Sequence, residues 1–185
     1  ATAEQKWQYI NMALERWGSW QRMNYLRNRQ RDITSLEFSA ELKSSVNIPQ
    51  REQKVELTGL RGITELTMRV YKADVDGTTE LNPSNTDQYK KLKPLLHALP
   101  EMTQTRKFMG RREYEVFEDS MLLGGLPVGV YMLEFESQPA TRISRSLYFV
   151  SDLRVLTQTV PFYPRPGEDA PAGTQKRIVV VNATT

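Results

Sequence analysis

The sequence predicts a mainly β fold, an antiparallel β-sandwich preceded by an N-terminal α-helix. Apolar residues recur at helical spacing in the first 33 residues, and from Ser35 onward several short segments alternate between apolar and polar residues. Turns rich in Gly, Pro and Asp separate these segments. A length of 185 residues fits one domain, or one with an appendage, and 39% apolar and 25% charged residues are typical of folded globular chains.

The N-terminal helix is predicted over residues 3–31 because its apolar positions recur every three or four residues. These positions are Trp7, Ile10, Leu14, Trp17, Trp20, Met23 and Leu26. All three tryptophans of the chain belong to this stripe, which gives it a large apolar surface. We expect Trp7, Trp17 and Trp20 to form a contact face that packs on the following domain, on another copy or on a preceding helical region. The same face could instead contact a partner.

The strands are predicted where the side chains alternate. These segments are 35–42, 53–58, 63–72, 111–119, 131–136, 143–157 and 177–181. In the third segment, Leu66, Met68 and Val70 share one face and are expected in the core. Residues 78–110 are predicted to be a long polar insertion with a short helix between Tyr89 and Leu99, and residues 161–173 a Pro-rich linker.

The sequence Gly129-Val-Tyr131 precedes the predicted strand 131–136. In immunoglobulin- and fibronectin-like sandwiches, a tyrosine at the start of a strand caps a neighbouring backbone group through its hydroxyl. We therefore expect Gly129 and Tyr131 to have structural roles at such a corner.

The net charge of +3 is confined to residues 1–33, which contain six basic and three acidic residues. The basic run 27–31 could bind phosphates. Cations at a helix C-terminus are also favoured by the helix dipole, and no nucleic-acid recognition motif accompanies the run. We expect no nucleic-acid partner. No apolar run reaches the ~18 residues that a transmembrane helix needs.

The residue inventory gives little support to catalysis. The absence of Cys excludes a disulfide scaffold, a thiolate zinc site and a Cys nucleophile, and His97 is the only histidine. No phosphate-binding glycine loop or hydrolase motif is found. We expect no catalytic residue, no cofactor and no metal.

Two acidic patterns could contradict this expectation. Asp74 and Asp76 resemble the start of a calcium loop, but the later ligands are missing, so a turn is favoured. Glu113 and Glu115 would share one face of the predicted strand 111–119, where two carboxylates could divide acid–base work. The neighbouring basic residues Arg111 and Arg112 favour a solvated face instead.

Four segments together resemble the bacterial alpha-2-macroglobulin family, and within it the macroglobulin-like β-sandwich domain of the N-terminal region. They are 126–136 (LPVGVYMLEFE), 145–153 (RSLYFVSDL), 177–185 (RIVVVNATT) and 53–71 (QKVELTGLRGITELTMRVY). The insertion at 78–110 and the Pro-rich stretch 161–173 depart from the family pattern. The resemblance implies a helical lead-in over 1–33, a macroglobulin-like sandwich over 34–160, and a linker with the first strand of a further domain over 161–185.

The resemblance implies a non-catalytic structural module of a larger periplasmic, cell-surface or secreted protein. Its partners would be the neighbouring domains of the same polypeptide, and proteases would be restrained by the whole protein. Some family members use a thioester built on Cys, which this chain cannot hold. The alternative is a free-standing sandwich that binds a glycan or a protein through the tryptophan face. An enzyme is the least favoured of the three hypotheses.

Overall fold

The computed structural model describes residues 1–76, 78–81, 88–160, 167 and 175–182. Two helices, α1 (Ala3–Trp17) and α2 (Asn24–Thr34), come first, and a short helix α3 (Tyr89–Leu92) lies between the strands. The strands are β1 (Glu37–Leu42), β2 (Val46–Asn47), β3 (Gln53–Arg61), β4 (Glu65–Ala73), β5 (Met102–Lys107), β6 (Phe117–Leu123), β7 (Gly129–Gln138), β8 (Ile143–Val150), β9 (Leu153–Val160) and β10 (Gln175–Asn182). The fold is mainly β with an N-terminal helical segment.

The prediction of one helix over 3–31 is wrong, because the chain reverses after Trp17 and α2 packs antiparallel to α1. A Cβ built on Gly18 would lie 2.3 Å from the Leu14 carbonyl oxygen, so this turn needs a glycine. The backbone is extended at Trp20, and a 3₁₀ turn then leads into α2. The single stripe read from the sequence is thus divided between two helices that face each other.

Side-chain hydrogen bonds hold the helix pair in two places, at the start of α1 and between the two helices. Thr2 and Gln5 form a reciprocal capping box at the start of α1, in which the Gln5 backbone N–H donates to Thr2 Oγ1 over 3.2 Å. Between the helices, the Gln30 side-chain amide donates to Asn11 Oδ1 over 2.5 Å. Leu14 of α1 and Leu26 of α2 are half-buried.

Eight of the strands form two sheets. The three-stranded sheet has the order β1-β3-β6, and the five-stranded sheet has the order β2-β8-β7-β4-β5. All neighbours pair antiparallel except β2 and β8, which are parallel. At one side, Arg106 of β5 forms a two-pronged ion pair with Asp119 of β6, with N···O distances of 2.9 and 3.3 Å, which joins the two sheets.

One hydrophobic cluster takes side chains from both sheets. Its members with no more than 1% exposure on these strands are Val55, Leu57, Leu60, Leu66, Met68, Val70, Leu123, Tyr131, Leu133, Phe135 and Tyr148. The predicted burial of Leu66, Met68 and Val70 is confirmed. In β3 the inward positions shift from Leu57 to Leu60, because a register shift occurs between them and Gly59 has a positive φ of 61°.

The predicted insertion 78–110 is too long, because β5 lies inside it and pairs with β4 along its whole length. Strand β5 has the sequence MTQTRK, and its side chains beyond Met102 are exposed, so the sequence shows no apolar alternation there. The prediction of a strand over 111–119 is also wrong at its start. The chain makes a turn in which the Glu115 N–H donates to the Arg112 carbonyl, and β6 begins only at Phe117.

The predicted extended stretch 143–157 is two strands with a break at Ser151 and Asp152. There the Leu153 N–H donates to Ser151 Oγ over 3.1 Å, which turns the chain. Strand β9 then pairs antiparallel with β10. The final strand predicted over 177–181 is present and longer, and the predicted linker 161–173 lies outside the described residues apart from 167. The division of the chain into domains stays a prediction.

Candidate functional site

The three tryptophans are not equivalent. Trp7 is half-buried, and its ring lies 5.2 Å from the ring of Tyr114 between their centroids, at a tilt of 41°. Trp17 is 43% exposed and Trp20 is 59% exposed. The predicted contact face therefore splits: Trp7 docks the helix pair on the loop before β6, whereas Trp17 and Trp20 face solvent near the turn between the helices.

The helix pair is also the cationic part of the molecule. Its basic residues are Lys6, Arg16, Arg22, Arg27, Arg29 and Arg31. Within the described residues none of them forms an ion pair. Arg27 instead donates to Asn24 Oδ1 over 2.7 Å, and the Arg16 guanidinium lies 5.7 Å from the Trp17 ring centroid. Exposed indoles and unpaired cations thus occur on one structural unit, a combination suited to an anionic partner.

Gly129 and Tyr131 lie at the start of β7. The Tyr131 hydroxyl donates to the Pro127 carbonyl oxygen over 2.8 Å, and the side chain is fully buried. A Cβ built on Gly129 would lie 3.3–3.4 Å from Tyr131 side-chain atoms. The absence of a side chain at Gly129 therefore lets the Tyr131 ring pack against the Gly129 backbone. Burial raises the pKa of the Tyr131 hydroxyl, with a smaller contribution from Glu101.

His97 lies between two carboxylates. Its Nε2 is 3.0 Å from Asp74 Oδ1, and its Nδ1 is 3.3 Å from Glu101 Oε1. The pKa of His97 is raised, chiefly by its hydrogen bond with Asp74. Desolvation opposes this effect, and the attraction of both carboxylates adds to it. In its protonated form, His97 would form ion pairs with both carboxylates. No hydroxyl or thiol nucleophile is among its polar contacts in the described part of the chain.

The remaining acidic candidates hold local turns. Glu115 accepts from Arg111 over 2.5 Å and from the Arg112 backbone, and these hydrogen bonds lower its pKa. Glu113 and Glu115 lie in a turn and not on a strand, which removes the predicted paired strand face. Asp76 accepts three hydrogen bonds from Thr78 and Thr79, which lower its pKa and make it a turn residue.

Sequence reasoning missed a polar network on the outer face of the five-stranded sheet. Glu134 accepts from Arg145 over 2.8 Å and lies 3.6 Å from Arg69, and Arg69 also pairs with Glu136. The Arg145 guanidinium stacks on the Tyr89 ring at 3.8 Å from its centroid. Opposite charges at alternating positions of β4, β7 and β8 could have indicated this ladder, but only if the strand order had been known.

The β9–β10 hairpin exposes apolar side chains on both faces. Val155 and Val180 are directly opposite each other and are 62% and 58% exposed, and Leu156 and Val179 are opposite each other on the other face at 54% and 36%. Leu153 and Ile178 are also exposed. Within the described residues, β9 and β10 pair only with each other.

No group of three or more His, Asp and Glu side chains in the described ranges could hold a metal ion. Among the helices that the structure describes, none has the length and apolar character needed to cross a membrane. No protein-family model and no curated protein matches the chain. The alpha-2-macroglobulin resemblance therefore stays a prediction based on the four sequence segments.

Proposed function

We propose that this chain is a non-catalytic structural module of a larger periplasmic, cell-surface or secreted protein of the alpha-2-macroglobulin type. In this proposal the two sheets are an immunoglobulin- or fibronectin-like sandwich of the macroglobulin-like kind, and Tyr131 provides its corner. The side chains shared by both sheets in one core and the hydrogen bond from Tyr131 to Pro127 support that assignment.

The observation that carries the modular role is the β9–β10 hairpin. An isolated two-stranded hairpin is marginally stable in water, and its open edges can pair with further strands. Apolar side chains on both faces are typical of strands that a neighbouring structure covers on both sides. The exposed valines Val155 and Val180 are therefore proposed to pack against a neighbouring domain of the same polypeptide.

The whole protein would restrain proteases, and this module would hold its neighbours in position. Because the chain has no Cys, any thioester would belong to another part of the parent protein. The module itself would contribute the rigid two-sheet core and two connecting elements, the helix pair at its start and the hairpin at its end.

The test is to read the parent gene beyond both ends of this segment and to express the chain with and without the encoded neighbours. Hydrogen exchange is expected to slow in β9 and β10 when the neighbours are present, while the core strands β4 and β7 serve as an internal control. A reading frame that closes directly after Thr185, or unchanged exchange in the hairpin, would contradict the proposal.

A paired substitution sharpens this test. Val155→Lys with Val180→Lys should leave the thermal stability of the chain alone almost unchanged, because both side chains are already exposed. In the longer protein the same change should restore fast exchange in the hairpin, because it would bury two charges. Val128→Lys, at a 50% exposed position outside the hairpin, is the matched control and should have no such effect.

The second candidate function is binding of an anionic glycan through the helix pair. It is favoured by the exposure of Trp17 and Trp20 beside cations without ion pairs. Because all three tryptophans lie in this unit, indole fluorescence reports on it alone. Heparin should shift or quench the emission and neutral dextran should not, and Trp20→Phe should reduce the response. An unchanged spectrum at saturating heparin excludes this candidate.

A further inference from the structure

The segment 88–101 covers the outer face of the five-stranded sheet. Leu92 is fully buried there and clusters with Met132 and Leu147, which lie on the face opposite the main core. Half-buried apolar side chains surround this second cluster; they include Tyr71, Tyr89, Leu95, Leu96, Val130 and Phe149. Displacement of the segment would therefore expose an apolar surface that it now covers.

The segment is attached to the end of β4 by a small set of contacts. The His97 N–H donates to the Lys72 carbonyl over 2.8 Å, and the Asp74 N–H donates to the Leu95 carbonyl over 2.9 Å. The side chain of His97 adds a second layer to this attachment, since its ring bridges Asp74 after β4 and Glu101 before β5. The imidazole thus joins the segment both to the sheet and to its own C-terminal end.

The two ring contacts depend on the charge of the imidazole. Both ring nitrogens face carboxylate oxygens, which accept hydrogen bonds and cannot donate them when ionised. A neutral imidazole has one N–H and can satisfy only one carboxylate, and its other nitrogen then directs a lone pair at the second. The imidazolium has two N–H groups and satisfies both.

We propose that His97, Asp74 and Glu101 form a pH-sensitive clasp, in which the imidazolium fastens the segment 88–101 over the outer face of the sheet and loss of its proton loosens that segment. The charged groups acting on the ring are the two carboxylates. The charge of Glu101 also acts on the Tyr131 hydroxyl of β7, and the Lys72 backbone carbonyl accepts the hydrogen bond of the His97 N–H.

The direction of the pH dependence follows from the two carboxylates. Because they favour the protonated ring, the folded-state pKa of His97 lies above its ordinary value, about 6.5. The stabilisation is therefore fully present below that ordinary value and is lost as the pH rises through the folded-state pKa. The clasp is expected to be closed in mildly acidic solution and loosened in alkaline solution.

The first measurement is an NMR titration of the His97 ring, which is unambiguous because the chain has one histidine. The pKa of His97 should lie above the ordinary value in the wild type and should fall in both Asp74→Asn and Glu101→Gln. Glu52→Gln, on a residue outside the clasp, is the control and should leave it unchanged. An ordinary pKa in the wild type, or a failure of either clasp variant to lower it, overturns the proposal.

The second measurement tests whether the ring holds the segment. Protection factors of the His97 and Asp74 amides are compared between wild type and His97→Gln at about pH 5.5 and about pH 8.5. At the lower pH the variant should exchange about two- to fivefold faster than wild type, and at the higher pH the two should converge. The Val70 and Leu133 amides are internal controls. A ratio that does not change with pH overturns the proposal.

Discussion

The hydroxyl of Tyr131 donates a 2.8 Å hydrogen bond to the carbonyl oxygen of Pro127, four residues earlier in the chain. The bond closes the loop that leads into β7, the central strand to which β4 and β8 both pair. It also places a polar group at the edge of the main core without leaving it unsatisfied. This hydrogen bond thus links the loop before β7 to the strand itself.

Tyr131→Phe should lower the free energy of unfolding by about 1–2 kcal/mol, because the fully buried Tyr131 side chain would no longer donate its hydrogen bond to the Pro127 carbonyl. Urea denaturation measures this as a shift of the midpoint with an unchanged slope. Tyr9→Phe, on a 64% exposed side chain, is the control. An unchanged midpoint for the Tyr131 variant would refute the corner assignment.

Gly129→Ala should destabilise the chain by about 1–2 kcal/mol, because the new methyl group would press on the buried Tyr131 ring. Gly124→Ala is the matched control. There the nearest atom to the new Cβ is the terminal methyl of Met102, which can move aside, so the expected loss is smaller. Equal losses in the two variants would show that the ring is not the constraint at Gly129.

Leu92→Ala should destabilise the attachment of the segment 88–101 by about 2–4 kcal/mol, because a fully buried side chain is removed from the second cluster. Leu99→Ala lies in the same segment at 79% exposure and should change stability by less than about 0.5 kcal/mol. Hydrogen exchange of the segment distinguishes the two. Similar behaviour of both variants would mean that Leu92 does not anchor it.

Asp119→Asn should destabilise the chain at neutral pH and have a smaller effect in acid. The pKa of Asp119 is lowered, chiefly by the hydrogen bonds that Arg106 donates to it. Desolvation opposes this effect, and the hydrogen bond from the Ser120 N–H adds to it. A carboxyl whose pKa is lower in the folded state stabilises the fold at any pH above its unfolded-state pKa, about 3.9. This stabilisation is lost as the pH falls through the folded-state pKa. Denaturation midpoints of wild type and variant at about pH 7 and pH 3 test this, and a constant difference would contradict it.

Much of the β structure could be predicted because its side chains alternate. Strand β4 has an apolar–polar pattern, so its buried face and, to within two residues, its bounds follow from the sequence. Strand β5 has no such pattern, since it is a polar edge strand held by backbone pairing to β4. The sequence therefore predicts an insertion at this point, and only the pairing with β4 identifies the strand.

The candidate sites were less accessible to sequence reasoning. His97 could be recognised as the only histidine, but its position between Asp74 and Glu101 depends on how a segment 23 residues further along the chain folds back onto β4. The ladder of Arg69, Glu134 and Arg145 likewise depends on which strands are neighbours. Local alternation predicts a strand face for Glu113 and Glu115, because it does not reveal the Arg111–Glu115 ion pair and the turn hydrogen bond that close this loop.

The sequence by itself determined the mainly β class, the burial of the alternating apolar side chains and the charge of the N-terminal segment, because each depends on composition or on short-range periodicity. Tertiary structure alone decided the reversal at Gly18, the order of the strands and the partners of His97. It also left Trp17, Trp20 and the hairpin valines in solvent. Those features depend on contacts between residues far apart in the chain, and periodicity contains no information about which distant segments will meet.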